Sequence, residues 1–246
     1  MINPQICEDR RDSELKFVTS VVDIIQRTSD IISVRFERPE GFNYLPGQFM
    51  FITIQKNGAK LTKHFTISSS PTEETLEVTK KLTGHDFSNA LNNLKIGEIV
   101  TVDAPYGDFT FSGEHCRALF LTGGIGITPI RSILRYCVDE RLSSDMVLLY
   151  SCRFEDDILF KEEIDELKEE SLNLNVFYTV SKPSKKWGGY TGRITGKLIR
   201  ECVPDYTTRF TYISGPPAMV ESMEMILTSE LNVHASEIIT EKFKGL

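Results

Sequence analysis

The feature that most constrains this chain is a change of rhythm near residue 113. From residue 15 to about 112 the sequence delivers short runs of alternating apolar and polar residues: FVTSVVDII, IISVRFERP, GQFMFITIQ, HFTIS, TLEVTKK and EIVTVDAP. Period two puts successive side chains on opposite faces, so each run reads as a half-buried strand. The turn signals PEG, NG, SSPTEE and KIG separate them, and a six-stranded antiparallel β-barrel follows. The one helical interruption is GHDFSNALNNLKIG, where Asp86 is placed to cap and Phe87, Ala90, Leu91 and Leu94 share a face.

After FSGEHCR the pattern becomes strand, helix, strand: ALFLT, then TPIRSILRYCVDERL, then MVLLYS, LNVFYTV and FTYIS. Buried apolar strands that alternate with helices make a parallel α/β sheet. The chain therefore divides into an N-terminal domain, 1–113, and a C-terminal domain, 114–246. No internal repeat or low-complexity segment interrupts this plan, and SKPSKKWGGY, 181–190, reads as a mobile loop.

Composition narrows the function classes. The 246 residues are 26% charged with a net charge of −7, and both halves carry more acid than base, which argues against nucleic acid as a partner. No apolar run approaches the ~20 residues that cross a bilayer. The opening stretch is polar rather than an apolar signal segment, so no membrane partner and a cytoplasmic location are expected. Cysteines at 7, 116, 137, 152 and 202 lack the spacing of a zinc ribbon or an iron–sulfur cluster. No metal is expected, and Cys137 falls on an apolar helix face as packing. The run EDDILFKEEIDELKEE reads as a solvated helix face.

Three stretches carry chemistry. LTKHFTISSSP places a cation, a histidine, an aromatic ring and five hydroxyls within a strand-like run. Alternation gives Phe65 and Ile67 one face and His64, Thr66 and Ser68 the other; ordinary solvated hydroxyls are one reading of that face, a ligand the other. FLTGGIGITPIRSIL is a glycine-rich strand-to-helix turn whose free N–H groups suit a pyrophosphate, although a tight turn without ligand has the same composition. YISGPPAMVESM is a second such junction, with two prolines that fit a first helical turn. Both junctions open on the crevice at the carboxyl edge of the sheet, where α/β folds bind ligands.

The ordered set KHFTISSSP, GHDFSNAL, APYGDF, TGGIGITP, YSCR, WGGYTGRI, YISGPPAM and EKFKGL resembles the ferredoxin–NADP reductase superfamily over nearly the whole chain after residue 15. It is most similar to the stand-alone reductase modules related to flavohaemoglobin and oxygenase reductase domains. The resemblance implies FAD in the barrel and NADH or NADPH in the α/β domain. Hydride would pass from nicotinamide to flavin, and electrons onward to an unidentified acceptor such as a ferredoxin, a flavodoxin or an oxygenase.

Carried over position by position, the resemblance places Lys63 at the flavin pyrophosphate, Phe65 on the isoalloxazine, and Thr66 near its reactive nitrogen, with His64, Ser69 and Thr79 beside them. Lysine supplies a point charge where the family has the arginine fork, and phenylalanine lacks the tyrosine hydroxyl. Gly84 and Ser88 match the pyrophosphate loop, and Phe243 and Leu246 match a chain end that covers the flavin. Gly123, Gly124, Gly126 and Thr128 match the dinucleotide turn. Ser214 stands where the family has a cysteine by the nicotinamide, followed by Gly215, Pro216 and Met219. Thr66 and Ser214 are thus the expected catalytic residues. Arg153 and Arg193 are placed for the adenosine end, or as surface arginines that pair with the acids at 155–157. Two other readings stay open: a flavin-bearing relay or docking subunit with little NAD(P)H turnover alone, and a fold-sharing protein that has lost FAD.

Overall fold

A computed structural model describes residues 15–56 and 58–243. The N-terminal half is a curled six-stranded antiparallel sheet in the order β4-β3-β6-β1-β2-β5. Its strands are β1 (Leu15–Thr28), β2 (Ile31–Glu37), β3 (Phe49–Lys56), β4 (Ala59–Thr66), β5 (Thr75–Lys81) and β6 (Ile99–Tyr106). β1 bends the sheet because it serves two neighbours in succession. Leu15–Ser20 pair with β6 and Val21–Thr28 with β2, and register shifts after Val21 and after Gln26 turn the strand between them. The inward positions Val34, Phe36, Met50, Ile52, Leu76, Val78 and Val102 are fully buried. Each such side chain contributes ~1.5–3 kcal/mol of burial before entropy is counted. The short α1 (Asp86–Asn92) lays Phe87, Ala90 and Leu91 onto this core. His85, not Asp86, is its N-cap; Asp86 already lies in the first turn, where its charge meets the helix dipole without a capping bond.

The C-terminal half is a six-stranded parallel sheet in the order β10-β9-β8-β7-β11-β12. Its strands are β7 (Arg117–Gly123), β8 (Asp145–Cys152), β9 (Leu174–Val180), β10 (Tyr190–Thr191), β11 (Phe210–Gly215) and β12 (Ile238–Lys242). Helices α2 (Ile127–Asp139), α3 (Lys161–Glu170), α4 (Gly196–Cys202) and α5 (Pro217–Met225) cover its faces. The two outermost strands escape sequence reading: β10 has two residues, and β12 is a half-exposed segment that becomes a strand by pairing with β11. Segment 181–190 is tethered, in contrast to the mobile loop expected. Ser184 donates its N–H to Glu155 Oε1 at 2.7 Å, and half-buried Trp187 packs on the core.

The two halves meet along α2. Its apolar side, Ile127, Ile130, Ile133, Leu134 and Cys137, lies in the α/β core as the periodicity predicts. Its other side, Arg131 and Ser132, is buried as well, against the segment that follows β4.

Candidate functional site

β4 and β5 are the two edges of the antiparallel sheet, and a first cleft is lined by both. From β4 come Lys63, His64, Phe65 and Thr66, and from β5 and the following turn Thr79, Lys80, Thr83 and His85. Phe49, Phe87 and Phe243 give it flat apolar walls, and Phe65 packs on Phe87 with ring centroids 5.3 Å apart. The α/β half supplies Ile125, Thr128, Glu241 and Lys242.

The electrostatics of this cleft ask for an anion. Lys80 is half-buried, and its ammonium is held below the ordinary lysine value first by burial and then by the charge of Lys63. Among the described residues neither lysine forms an ion pair with a carboxylate. Two neighbouring uncompensated cations beside aromatic walls fit a ligand with a flat ring system and a pyrophosphate, the chemistry of FAD. Glu241 faces the same cleft, and burial pushes its carboxyl above the usual range.

The serine run has a different task. β4 ends at Thr66, and Ser68, Ser69 and Ser70 are buried, so His64, Thr66 and Ser68 do not present one common solvent face. Ser68 Oγ donates to Glu77 Oε1 at 3.1 Å. Ser69 Oγ accepts the Glu77 N–H at 2.9 Å and meets Tyr44 Oη at 3.1 Å. Glu77 can be this deeply buried because Arg27 and Arg35 pair with it at 3.1 and 2.9 Å; together with Arg131 they outweigh the burial cost and hold its carboxyl below the usual value.

A second cleft lies at the carboxyl edge of the parallel sheet. Gly123, Gly124, Ser151, Cys152, Arg153 and Ser181 line it from three strand ends, and Arg193, Pro216 and Met219 complete the rim. Gly124 sits at φ 55°, with open space where a side chain would project, so its backbone is free to approach a ligand. Gly126 answers another need: a Cβ there would lie 2.4 Å from the carbonyl oxygen of Ser214, so glycine lets the two junctions touch. Open backbone at Gly124, with no crowding side chain, and two exposed arginines suit a dinucleotide. Cys152 is no nucleophile here, since burial pushes its thiol up to about 11.

The first cleft thus gathers Lys63, His64, Phe65, Thr66, Thr79, Ser88 and Phe243, and Thr128 joins them although the sequence assigns it to the dinucleotide. The second gathers Gly123, Gly124, Arg153, Arg193, Pro216 and Met219. Five expected residues among those described line neither cleft. Ser69 belongs to the serine network, Gly126 and Gly215 are packed between the junctions, and fully buried Ser214 donates its hydroxyl to Gly126 O at 2.8 Å. Gly84, at φ 75°, shapes the turn before α1, and the Ser88 hydroxyl accepts the Thr83 N–H there at 3.0 Å. Leu246 lies outside the described residues. Arg153 and Arg193 make no ion pair with the acids at 155–157; Arg153 instead stands 5.3 Å over the Phe154 ring. Lys80, Ile125 and Glu241 escape the sequence reading. The one local signal is TKK, a doubled lysine at the end of an edge strand.

Ile125 belongs to both clefts. The buried side chain at the turn before α2 therefore lies where the two clefts adjoin.

The antiparallel half with its cleft and the parallel half with the other each match a family model. Residues 18–111 match the oxidoreductase FAD-binding domain, and residues 120–225 match the oxidoreductase NAD-binding domain. The chain belongs to the ferredoxin–NADP reductase superfamily. It is 30% identical over 216 residues to a glycine betaine monooxygenase reductase subunit of Pseudomonas aeruginosa, an alignment that covers 84% of this chain and 58% of the relative. It is 27% identical over 224 residues to ferredoxin–NADP reductase B of Sorangium cellulosum, covering 85% and 89%. The FAD/NAD-binding domain of a Vibrio cholerae nitric oxide dioxygenase superposes with a TM-score of 0.81 at 21% identity, covering 92% and 98%. The chain thus spans little more than half the length of the monooxygenase reductase subunits that it matches.

Proposed function

We propose that this chain is an FAD-dependent NAD(P)H oxidoreductase that feeds electrons to a separate redox partner. The observation that carries the reading is the junction at Ile125, where an anion-seeking aromatic cleft on the antiparallel sheet meets a glycine-lined cleft on the parallel one. When bound, the flavin would supply the redox chemistry, a two-electron exchange between reduced nicotinamide and acceptor.

The protein's residues bind, orient and exclude water. Lys63 and Lys80 neutralise the flavin phosphates, Phe49, Phe65 and Phe87 enclose its rings, and Thr66, 6% exposed, presents a hydroxyl at the cleft floor. Gly124 and the N–H groups of its turn receive the dinucleotide phosphates, with Arg153 and Arg193 toward the adenosine end. Ser214 holds the two glycine turns together through Gly126. Phe243 covers the first cleft from the chain end, its N–H donated to Gly215 O at 3.0 Å.

The relatives' names point to an acceptor that is itself a redox protein, such as a ferredoxin or an oxygenase component. A cytoplasmic location completes the reading: Cys116, Cys137, Cys152 and Cys202 are all free, as in a reducing compartment. Anaerobic mixing of the FAD-loaded protein with NADH or NADPH tests the activity. Bleaching of the flavin within seconds is expected. A flavin that stays oxidised with both dinucleotides points instead to a relay subunit.

A further inference from the structure

One helix carries both the dinucleotide turn and the grip on the flavin half. α2 begins at Ile127, directly after Gly124–Gly126, and one turn later presents Arg131 and Ser132 to the segment that leaves the flavin strand β4. Arg131 Nη1 donates to Ser68 O at 2.9 Å, and Ser132 Oγ donates to Ser69 O at 2.6 Å. Arg131 also pairs with Glu73 of the N-terminal half and with Glu163 of α3. Thr72 Oγ1 donates to Asp139 Oδ2 at the far end of the same helix.

Behind this seam stands Phe160, a non-glycine residue at φ 56°. Its ring lies 4.6 Å from the Arg27 guanidinium of the N-terminal half and 5.6 Å from that of Arg131. Arg131 is 3% exposed and Ser132 is fully buried, so their bonds to the Ser68 and Ser69 carbonyls are shielded from solvent. From Thr66 in the first cleft to Ser68 is two residues, and from Arg131 back to Thr128 in the same cleft is three. No flexible linker separates the grip from the walls it joins.

We propose that Arg131 and Ser132 are positioning residues, which set the spacing of the two clefts by fixing α2 to the carbonyls of Ser68 and Ser69. The proposal rests on the oxidoreductase reading above. Electron transfer by close approach is sensitive to small displacements, and a misplacement of ~1 Å costs up to about 100-fold in rate. Neither residue lines either cleft. Their loss therefore lowers the rate at saturation and leaves the affinity of each half for its own ligand intact.

The test compares FAD-loaded native protein with Arg131→Met, Arg131→Lys and Ser132→Ala. Anaerobic stopped-flow reduction is followed over a range of NADH and NADPH concentrations. FAD retention is measured by filtration, and amide exchange across 66–73 and 127–135 by mass spectrometry. Arg131→Met is expected to lower the limiting rate about tenfold and Ser132→Ala a few-fold. Dinucleotide affinity should stay within about twofold and FAD should be retained, while exchange across the seam rises. Arg131→Lys should recover part of the rate, because an ammonium still bonds a carbonyl or Glu73. Limiting rates that match the native protein, or that fall only in step with lost FAD, overturn the proposal. If Arg131→Met does not fold, Ser132→Ala decides on the same measurements. A native protein that neither dinucleotide reduces overturns the oxidoreductase reading and this proposal with it; active native protein with equally active variants overturns this proposal alone.

Discussion

The Tyr150 hydroxyl donates to the carbonyl of Gly124 across 2.9 Å and accepts the Leu159 N–H at 3.2 Å. Tyr150 lies fully buried two residues before the end of β8, so a phenol whose own orientation is set by a backbone donor supports the glycine turn. Tyr150→Phe keeps the ring, takes this acceptor from the Leu159 N–H and removes one of the donors to the Gly124 carbonyl. Buried groups left unpaired cost ~1–3 kcal/mol each. The variant should bind NAD(P)H several-fold to tenfold more weakly by calorimetric titration, with FAD retention unchanged. Native affinity would show that the turn holds its shape without the phenol.

Thr66 carries a second prediction. Its side chain is almost fully buried at the floor of the first cleft. Thr66→Val preserves shape and removes a hydroxyl, and one hydrogen bond is worth ~0.5–1.5 kcal/mol. Single-turnover flavin reduction should slow by several-fold to about tenfold. An unchanged rate would remove the hydroxyl from the reaction.

Lys63 and Lys80 should govern FAD retention rather than turnover. Lys63→Ala and Lys80→Ala should each lose FAD on dilution, and the loss should shrink the contrast between low and high salt, since screening weakens what the charge supplies. Lys63→Arg should hold FAD at least as well as the native protein. Equal retention by all variants would place the phosphates elsewhere.

Glu241 predicts a pH dependence. Burial raises its folded-state carboxyl above the ordinary 4.5, so the folded protein holds that proton more tightly than the unfolded chain. Its contribution is therefore unfavourable once ionised, and stability falls as pH rises from the unfolded value through the raised folded one. Glu241→Gln should gain thermal stability relative to the native protein as pH is raised from 4 to 7, measured by unfolding midpoints. A difference that stays flat across this range would mean the carboxyl is solvated.

Much of this protein is determined along the chain itself. Period-two runs such as IISVRFE and a helix periodic in Ile127, Ile130, Ile133 and Leu134 decide which faces are apolar, because burial acts residue by residue at spacings that the backbone imposes. The glycine and proline junctions are likewise local, for only those residues suit the turns and first helical turns they occupy. β12 lies beyond such reasoning, since Ile238–Lys242 becomes a strand through pairing with residues more than twenty positions away. So does the division of labour in KHFTISSSPTE: the same hydroxyl and charge composition serves the flavin cleft at Thr66 and the seam at Ser68–Glu73. Arg131 shows the reason most plainly. The sequence leaves Arg131 off the apolar face of its helix, and only the approach of the antiparallel half, with the Ser68 carbonyl and the Glu73 carboxylate, gives its buried charge the partners it needs.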